Sequence, residues 1–141
     1  MRLAAISTAL LAVVACAGAA AAQTDVVPPE LAGEWAPAGS CAGPLKLVLT
    51  EHQATLVNGA DKVTHGNLAV TGSYFGHDYQ GIMTVLLPDY DKSQPYVVTF
   101  NADEKRGDTT IEIWDAALKK RFPFGTAVLR KCRAGDEGGH R

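Results

Sequence analysis

The sequence predicts a single all-β domain: an antiparallel up-and-down β-barrel of about eight strands, with a two-sheet sandwich as the alternative. Three observations lead to this prediction. Apolar and polar residues alternate in short runs, turn residues separate these runs, and no run shows the period of a helix. Sequential antiparallel strands can close into a barrel, which removes their exposed edges.

The first half of the chain carries the clearest strand signals. Leucines alternate along residues 45–50, so they fall on one face of a strand. Asn58-Gly59 is a two-residue hairpin signal because both residues tolerate positive φ, and residues 53–57 and 61–65 are therefore expected to pair. The predicted strands, in order, are 33–36, 45–50, 53–57, 61–65, 67–75, 81–87, 95–101, 109–114 and 126–132.

The second half repeats this pattern with one interruption. Ile111 and Ile113 are expected to face inward and Glu112 outward. The stretch 119–124 is predicted to be a short strand or a turn, and Pro123 favours an edge or a bend there because it has no N–H to donate.

Residues 1–22 have the pattern of an export signal. A short positive start is followed by an apolar run over residues 3–14 and by small residues at 20–22, just before Gln23. The apolar run is too short for a committed membrane span. The pattern therefore predicts a periplasmic or secreted protein.

Cys16 leaves a second fate open. Residues 13–16, Val-Val-Ala-Cys, resemble a bacterial lipobox, in which the cysteine is lipidated and becomes the first residue. This alternative predicts a lipid-anchored envelope protein with the stretch to Pro29 as its tether. A membrane is an expected partner only in that case.

The remainder of the chain divides into three segments. Residues 23–31, with Pro28-Pro29, are predicted to be an extended linker or arm. Residues 32–132 form the β-barrel domain, since the chain is long enough for one modest core. Residues 133–141 are Gly-rich and charged, which predicts a disordered tail.

Cys41 and Cys132 are the cysteines that remain outside the signal. An even pair in an exported chain predicts a disulfide. It would close a loop of roughly ninety residues, worth on the order of 4 kcal/mol in the chain-entropy model. Two isolated cysteines cannot supply a tetrahedral metal site, so no metal or cofactor is expected.

Charge and motifs argue against nucleic-acid binding and catalysis. Without its signal the chain has a formal net charge of about −3, and its longest basic cluster is residues 119–121. Ser73 lacks the G-x-S-x-G context of a nucleophile elbow. The adjacent pair His77-Asp78 is expected to point apart on a strand or tight turn. The sequence therefore predicts a protein that is not an enzyme.

The stretch Gly33-Glu34-Trp35 at the first strand, with Arg130 on the last strand, resembles the lipocalin and calycin pattern. The resemblance implies that Trp35 closes the base of a barrel and that the guanidinium of Arg130 packs over its indole ring as a cation–π pair. The chain is also similar in size and layout to small exported barrels that inhibit metalloproteases or lysozyme.

Four tyrosines are predicted to form a recognition surface at the open end of the barrel, because a ring with a polar tip suits ligand mouths and protein interfaces. They are Tyr74, Tyr79, Tyr90 and Tyr96. Two functions remain open. A carrier of a small apolar ligand needs a lumen, whereas an inhibitor-like or other envelope protein-interaction module needs a filled core. The expected lumen residues are Leu47, Leu49, Val70, Ile111, Ile113 and Val128.

Overall fold

The computed structural model of the chain describes residues 23–38, 40–72 and 80–134. The fold is all-β, as predicted, and this part of the chain also contains one short helix, α1 (Ala116–Arg121), and a 3₁₀ turn at Ala102–Glu104. The strands are β1 (Gly33–Pro37), β2 (Leu45–Leu49), β3 (Ala54–Asn58), β4 (Asp61–His65), β5 (Ala69–Gly72), β6 (Thr84–Leu87), β7 (Tyr96–Phe100), β8 (Thr110–Ile113) and β9 (Leu129–Lys131).

These strands form two antiparallel sheets rather than one closed barrel. The first sheet has the order β4-β3-β2-β1-β9 and the second has the order β5-β6-β7-β8. Among the described residues, one isolated bridge, between Thr109 and Leu129, connects the two sheets at the β8 and β9 edges. No closed barrel is found within the described ranges: β8 and the chain that precedes β9 separate after that bridge, and the other two edge strands, β4 and β5, do not pair with each other.

The hairpin between β3 and β4 is confirmed. Asn58 pairs with Asp61, and Gly59 and Ala60 form the two-residue turn between them. Gly59 has a φ of +63°, a conformation that glycine adopts at no steric cost. The strand pairing that the turn signal predicted is therefore present in the predicted register.

The core lies between the two sheets and contains several large rings. Trp35 and Phe100 meet edge to face with ring centroids 5.2 Å apart, and the indole N–H of Trp35 donates to the Leu31 carbonyl over 2.9 Å. The other large, fully buried residues include Tyr96, Phe122, Leu47, Leu56, Leu86 and Leu129. Aromatic pairs of this kind stabilise beyond the area that they bury.

The disulfide between Cys41 and Cys132 is confirmed, with the two Cα atoms 5.7 Å apart. Its position follows from the pairing of β1 with β9, where Trp35 lies opposite Lys131. The Cys132 N–H also donates to the Glu34 carbonyl over 2.8 Å. The bond therefore joins the loop after β1 to the residue after β9, beside two strands that already pair with each other.

The structure has a helix where the sequence pattern was interpreted as a short strand or turn. Asp115 is the N-cap of α1, and its carboxylate accepts a 2.8 Å hydrogen bond from the Leu118 N–H. At the other end Arg121 forms an ion pair with Asp61, 2.7 Å between Nη2 and Oδ1, which attaches α1 to β4. The helix is six residues long, too short to show a helical period in the sequence.

The arm is packed onto the domain rather than free. Thr24 and Val70 exchange two main-chain hydrogen bonds of 2.9 and 2.7 Å, so the arm pairs with the outer edge of β5. Val27 is only 1% exposed, and its N–H donates to the Glu51 carbonyl. The predicted signal and residues 135–141 of the predicted tail lie outside the described residues.

Candidate binding site

The predicted tyrosine surface is not assembled as a group of four. Tyr96 is fully buried in the core at the start of β7 and cannot contact a partner, whereas Tyr90 is 41% exposed in the turn after β6. The Tyr90 N–H donates to the Asn67 carbonyl over 3.0 Å. Tyr74 and Tyr79 lie outside the described residues, so their place beside Tyr90 stays a prediction.

Trp35 and Arg130 do not form the stacked pair that the family resemblance implies. Arg130 lies opposite Ala36 in the β1–β9 register, one residue away from Trp35, so its side chain is on the other face of the sheet. Its guanidinium binds the Gly107 carbonyl and the Asp108 carboxylate, the latter over 3.1 Å. The ring that contacts Trp35 is that of Phe100.

An open groove of about 480 Å³ lies between β8, α1 and the turn that leads to β9. Its volume is within the range typical of ligand sites, about 300 to 1,000 Å³. A smaller recess of about 50 Å³ adjoins it and reaches Phe122 and Phe124. The residues that line the groove are Thr110, Ile111, Glu112, Lys119, Gly125, Thr126 and Ala127.

The groove exists because the chain before β9 is not extended. Phe122 and Phe124 are buried, at 0% and 4% exposure, and they hold this segment against the core. Pro123 between them has no N–H for a ladder. Gly125 follows with a φ of +60°, and the Ala127 N–H donates back to the Phe124 carbonyl over 3.2 Å to close a turn. The segment therefore bends away from β8 before it becomes β9.

The main-chain groups on the outer edge of β8 face this groove. The Thr109 carbonyl accepts a 2.7 Å hydrogen bond from the Leu129 N–H, away from β7. Groups two residues apart on a strand point to the same side, so those of Ile111 and Ile113 also point away from β7. Neither residue has a hydrogen-bond partner on that side among the residues that the structure describes.

Two opposite charges border the groove, and an exposed ring follows the end of β8. Glu112 projects from β8 and Lys119 from α1, and neither forms an ion pair with another described residue. Trp114, which follows β8, is 51% exposed. Lys119, Lys120 and Arg121 lie in the last turn of α1, where positive charge stabilises the carbonyl end of a helix.

A second polar feature is buried between β4 and β7. The rings of His65 and Tyr96 meet edge to face with centroids 5.3 Å apart. The His65 Nδ1 and the Tyr96 hydroxyl are buried, and neither has a hydrogen-bond partner among the described residues. Burial lowers the pKa of His65, although the nearby carboxylates of Asp89 and Asp115 oppose this effect, and burial raises the pKa of Tyr96.

Within the described ranges, no group of three or more histidine, cysteine, aspartate or glutamate side chains is arranged to hold a metal ion. The same part of the chain has no helix long and apolar enough to cross a membrane.

The groove was not predicted, although the sequence contains two signals of the segments that form it. Asp115 before Ala-Ala-Leu-Lys-Lys-Arg has the cap and the basic last turn of a short helix. Pro123 and Gly125, two residues apart, mark a break just before the predicted last strand. Comparison of the chain with family models, curated proteins and solved structures found no match.

Proposed function

We propose that this chain is an exported protein, not an enzyme, that binds another protein rather than carrying a small apolar ligand. The observation that carries this proposal is the packing of the interior. Five of the six residues expected to line a lumen belong to one cluster of buried side chains that also contains the largest rings: Leu47, Leu49, Val70, Ile111 and Ile113. The sixth, Val128, is partly exposed.

A filled interior supports recognition at the surface. A small barrel or sandwich has an interior just wide enough for its own side chains, and rings such as Tyr96, Phe100 and Phe122 occupy that volume here. The groove beside β8 and the exposed Tyr90 then offer the surfaces where a partner can bind. The confirmed disulfide supports export, either to the periplasm or beyond, and a lipid anchor at Cys16 remains the alternative.

The proposal keeps a relationship to lipocalin-like proteins, although the described strands form two sheets and not a closed barrel. The all-β fold and the buried Trp35 early in the chain support the resemblance. Arg130 does not, because it binds Asp108 instead of the indole ring. The inhibitor-like or envelope-interaction alternative needs only the two sheets and an accessible surface.

The experiment that tests this function begins with the native mature protein. Solvent extraction and mass spectrometry should find no stoichiometric apolar molecule, whereas a bound lipid at one per chain would support the carrier and refute the proposal. A photo-cross-linking residue at Thr126 or Tyr90 should then capture a discrete protein in the cells that export the chain. The same residue at the exposed Lys105, away from both surfaces, should not.

A further inference from the structure

We infer that the groove beside β8 binds an extended peptide segment of a partner, which adds to β8 as a further strand. This inference rests on the proposed function, because it takes the partner to be a protein. It adds the location of the contact, the mode of binding and the chemistry of the segment.

The register of β8 and β9 shows where strand pairing stops. Thr109 pairs with Leu129 in antiparallel fashion, so a continued ladder would place Ile111 opposite Ala127 and Ile113 opposite Gly125. The turn that closes onto Phe124 separates these pairs instead. The residues that would have paired now line the groove and the recess beside it. The opening is therefore an interrupted strand pairing rather than a random surface depression.

The edge of β8 that faces the groove lacks main-chain hydrogen bonds among the described residues. The N–H and C=O groups of Ile111 and Ile113 point into the opening without a partner among the described residues. An apolar small molecule cannot satisfy them, and unsatisfied main-chain groups are costly once water is excluded. The main chain of an extended peptide offers acceptors and donors at the same spacing, as in known cases of β-strand addition.

Charged and exposed side chains near the groove indicate the chemistry of the bound segment. Lys119 borders the groove, is exposed and makes no ion pair within the described ranges, so it favours an acidic side chain on the bound segment. Trp114 at the end of β8 is half exposed and offers an apolar contact to a neighbouring residue of that segment. The partner segment is thus extended, rich in strand-forming residues, acidic where it passes Lys119 and not acidic where it passes Glu112.

The probe is a library of displayed random peptides of about seven residues, close to the length of a typical strand. The library is selected on the oxidised mature protein, and selected sequences are made synthetically. Amide hydrogen exchange of the labelled protein should show that Ile111 and Ile113 are unprotected when free and protected when the peptide binds. Methylation of the peptide amides that face β8 should weaken binding by about tenfold or more, and methylation of the alternate amides should not.

Two protein variants with matched controls locate the site. Lys119→Glu should weaken the binding of acidic peptides by about threefold to tenfold, since an exposed ion pair is replaced by a repulsion. Lys120→Glu makes the same change one residue away, outside the groove lining, and should have a much smaller effect. Thr126→Trp places a ring in the groove from an exposed position and should block binding, whereas Asp25→Trp, at an exposed position beside the opposite edge of the same sheet, should not.

Several results would overturn the inference. One is a library that yields no peptide protecting Ile111 and Ile113; another is equal sensitivity to both sets of methylated amides. Protection of both amides in the free protein, as monomer or dimer, would mean that the edge is already paired. A bound lipid would refute the proposed function, whereas a lipid-free protein that captures a partner but fails the peptide test would refute only this inference.

Discussion

Removal of the disulfide tests the part of the fold that sequence and structure agree on. Cys41 and Cys132 are 91 residues apart, so the bond encloses eight of the nine described strands. The chain-entropy relation gives about 4.5 kcal/mol for a loop of that length near room temperature. A domain of this size has a free energy of unfolding of about 5 to 15 kcal/mol, so the bond contributes a large part of it.

The double variant Cys41→Ser/Cys132→Ser should therefore lose about 4 to 5 kcal/mol while it keeps the same fold. The fold should persist because other contacts already hold the joined segments together. Trp35 pairs with Lys131, and the Cys132 N–H donates to the Glu34 carbonyl independently of the sulfur atoms. Both cysteines are replaced together so that no single thiol can form dimers.

Urea unfolding followed by circular dichroism measures the loss. The slope of free energy against denaturant should also increase, because the unfolded chain without a cross-link exposes more surface. An unchanged free energy of unfolding with an unchanged slope would refute the entropic argument. A variant whose native spectrum has lost its β content would instead show that the bond holds β1 and β9 together in the folded state.

Three further predictions follow from the core, from His65 and from the arm. Trp35→Ala should cost about 3 to 5 kcal/mol of stability in urea unfolding, whereas Trp114→Ala, at an exposed position, should cost less than about 0.5 kcal/mol. Because burial lowers the folded-state pKa of His65, stability should fall as the pH drops from its ordinary value of 6.5 through the folded value. His65→Gln should remove that part of the slope of stability against pH, and His52→Gln, at an exposed side chain, should keep it. Mass spectrometry of the mature amino terminus should find Gln23, and Cys16→Ser should mature and fractionate like the original; a lipidated amino terminus would contradict this.

Local rules explain what the sequence predicted well. The turn after Asn58 needs only the backbone freedom of Gly59, and alternation along 45–50 needs only the period of a strand. The disulfide prediction needed only the cysteine count and the predicted compartment. The turn and the alternation depend only on residues that are close in sequence. The disulfide prediction depends on thiol chemistry, and it does not require knowing which strands pair.

Tyr96 was predicted to lie on the binding surface but is buried, and the sequence contains the reason. Tyr96 is in phase with Val98 and Phe100 along β7, and all three are buried. A position at a strand end suggested an exposed ring, but the phase of the alternation was the stronger signal. The same rule applies to Arg130. It follows the buried Leu129 in the strand, so its side chain lies on the face opposite Trp35.

The open edge of β8 could not be predicted in this way, because side-chain alternation is the same in a paired strand and in an unpaired one. Whether an edge is covered depends on segments distant in sequence. Thr24 covers the outer edge of β5 at Val70, and Leu129 covers the start of β8 at Thr109. Natural proteins usually protect strand edges, since an exposed edge invites pairing with another chain. The opening beside Ile111 is thus a place where main-chain groups lack a hydrogen-bond partner among the described residues, and it is the reason to look for a partner there.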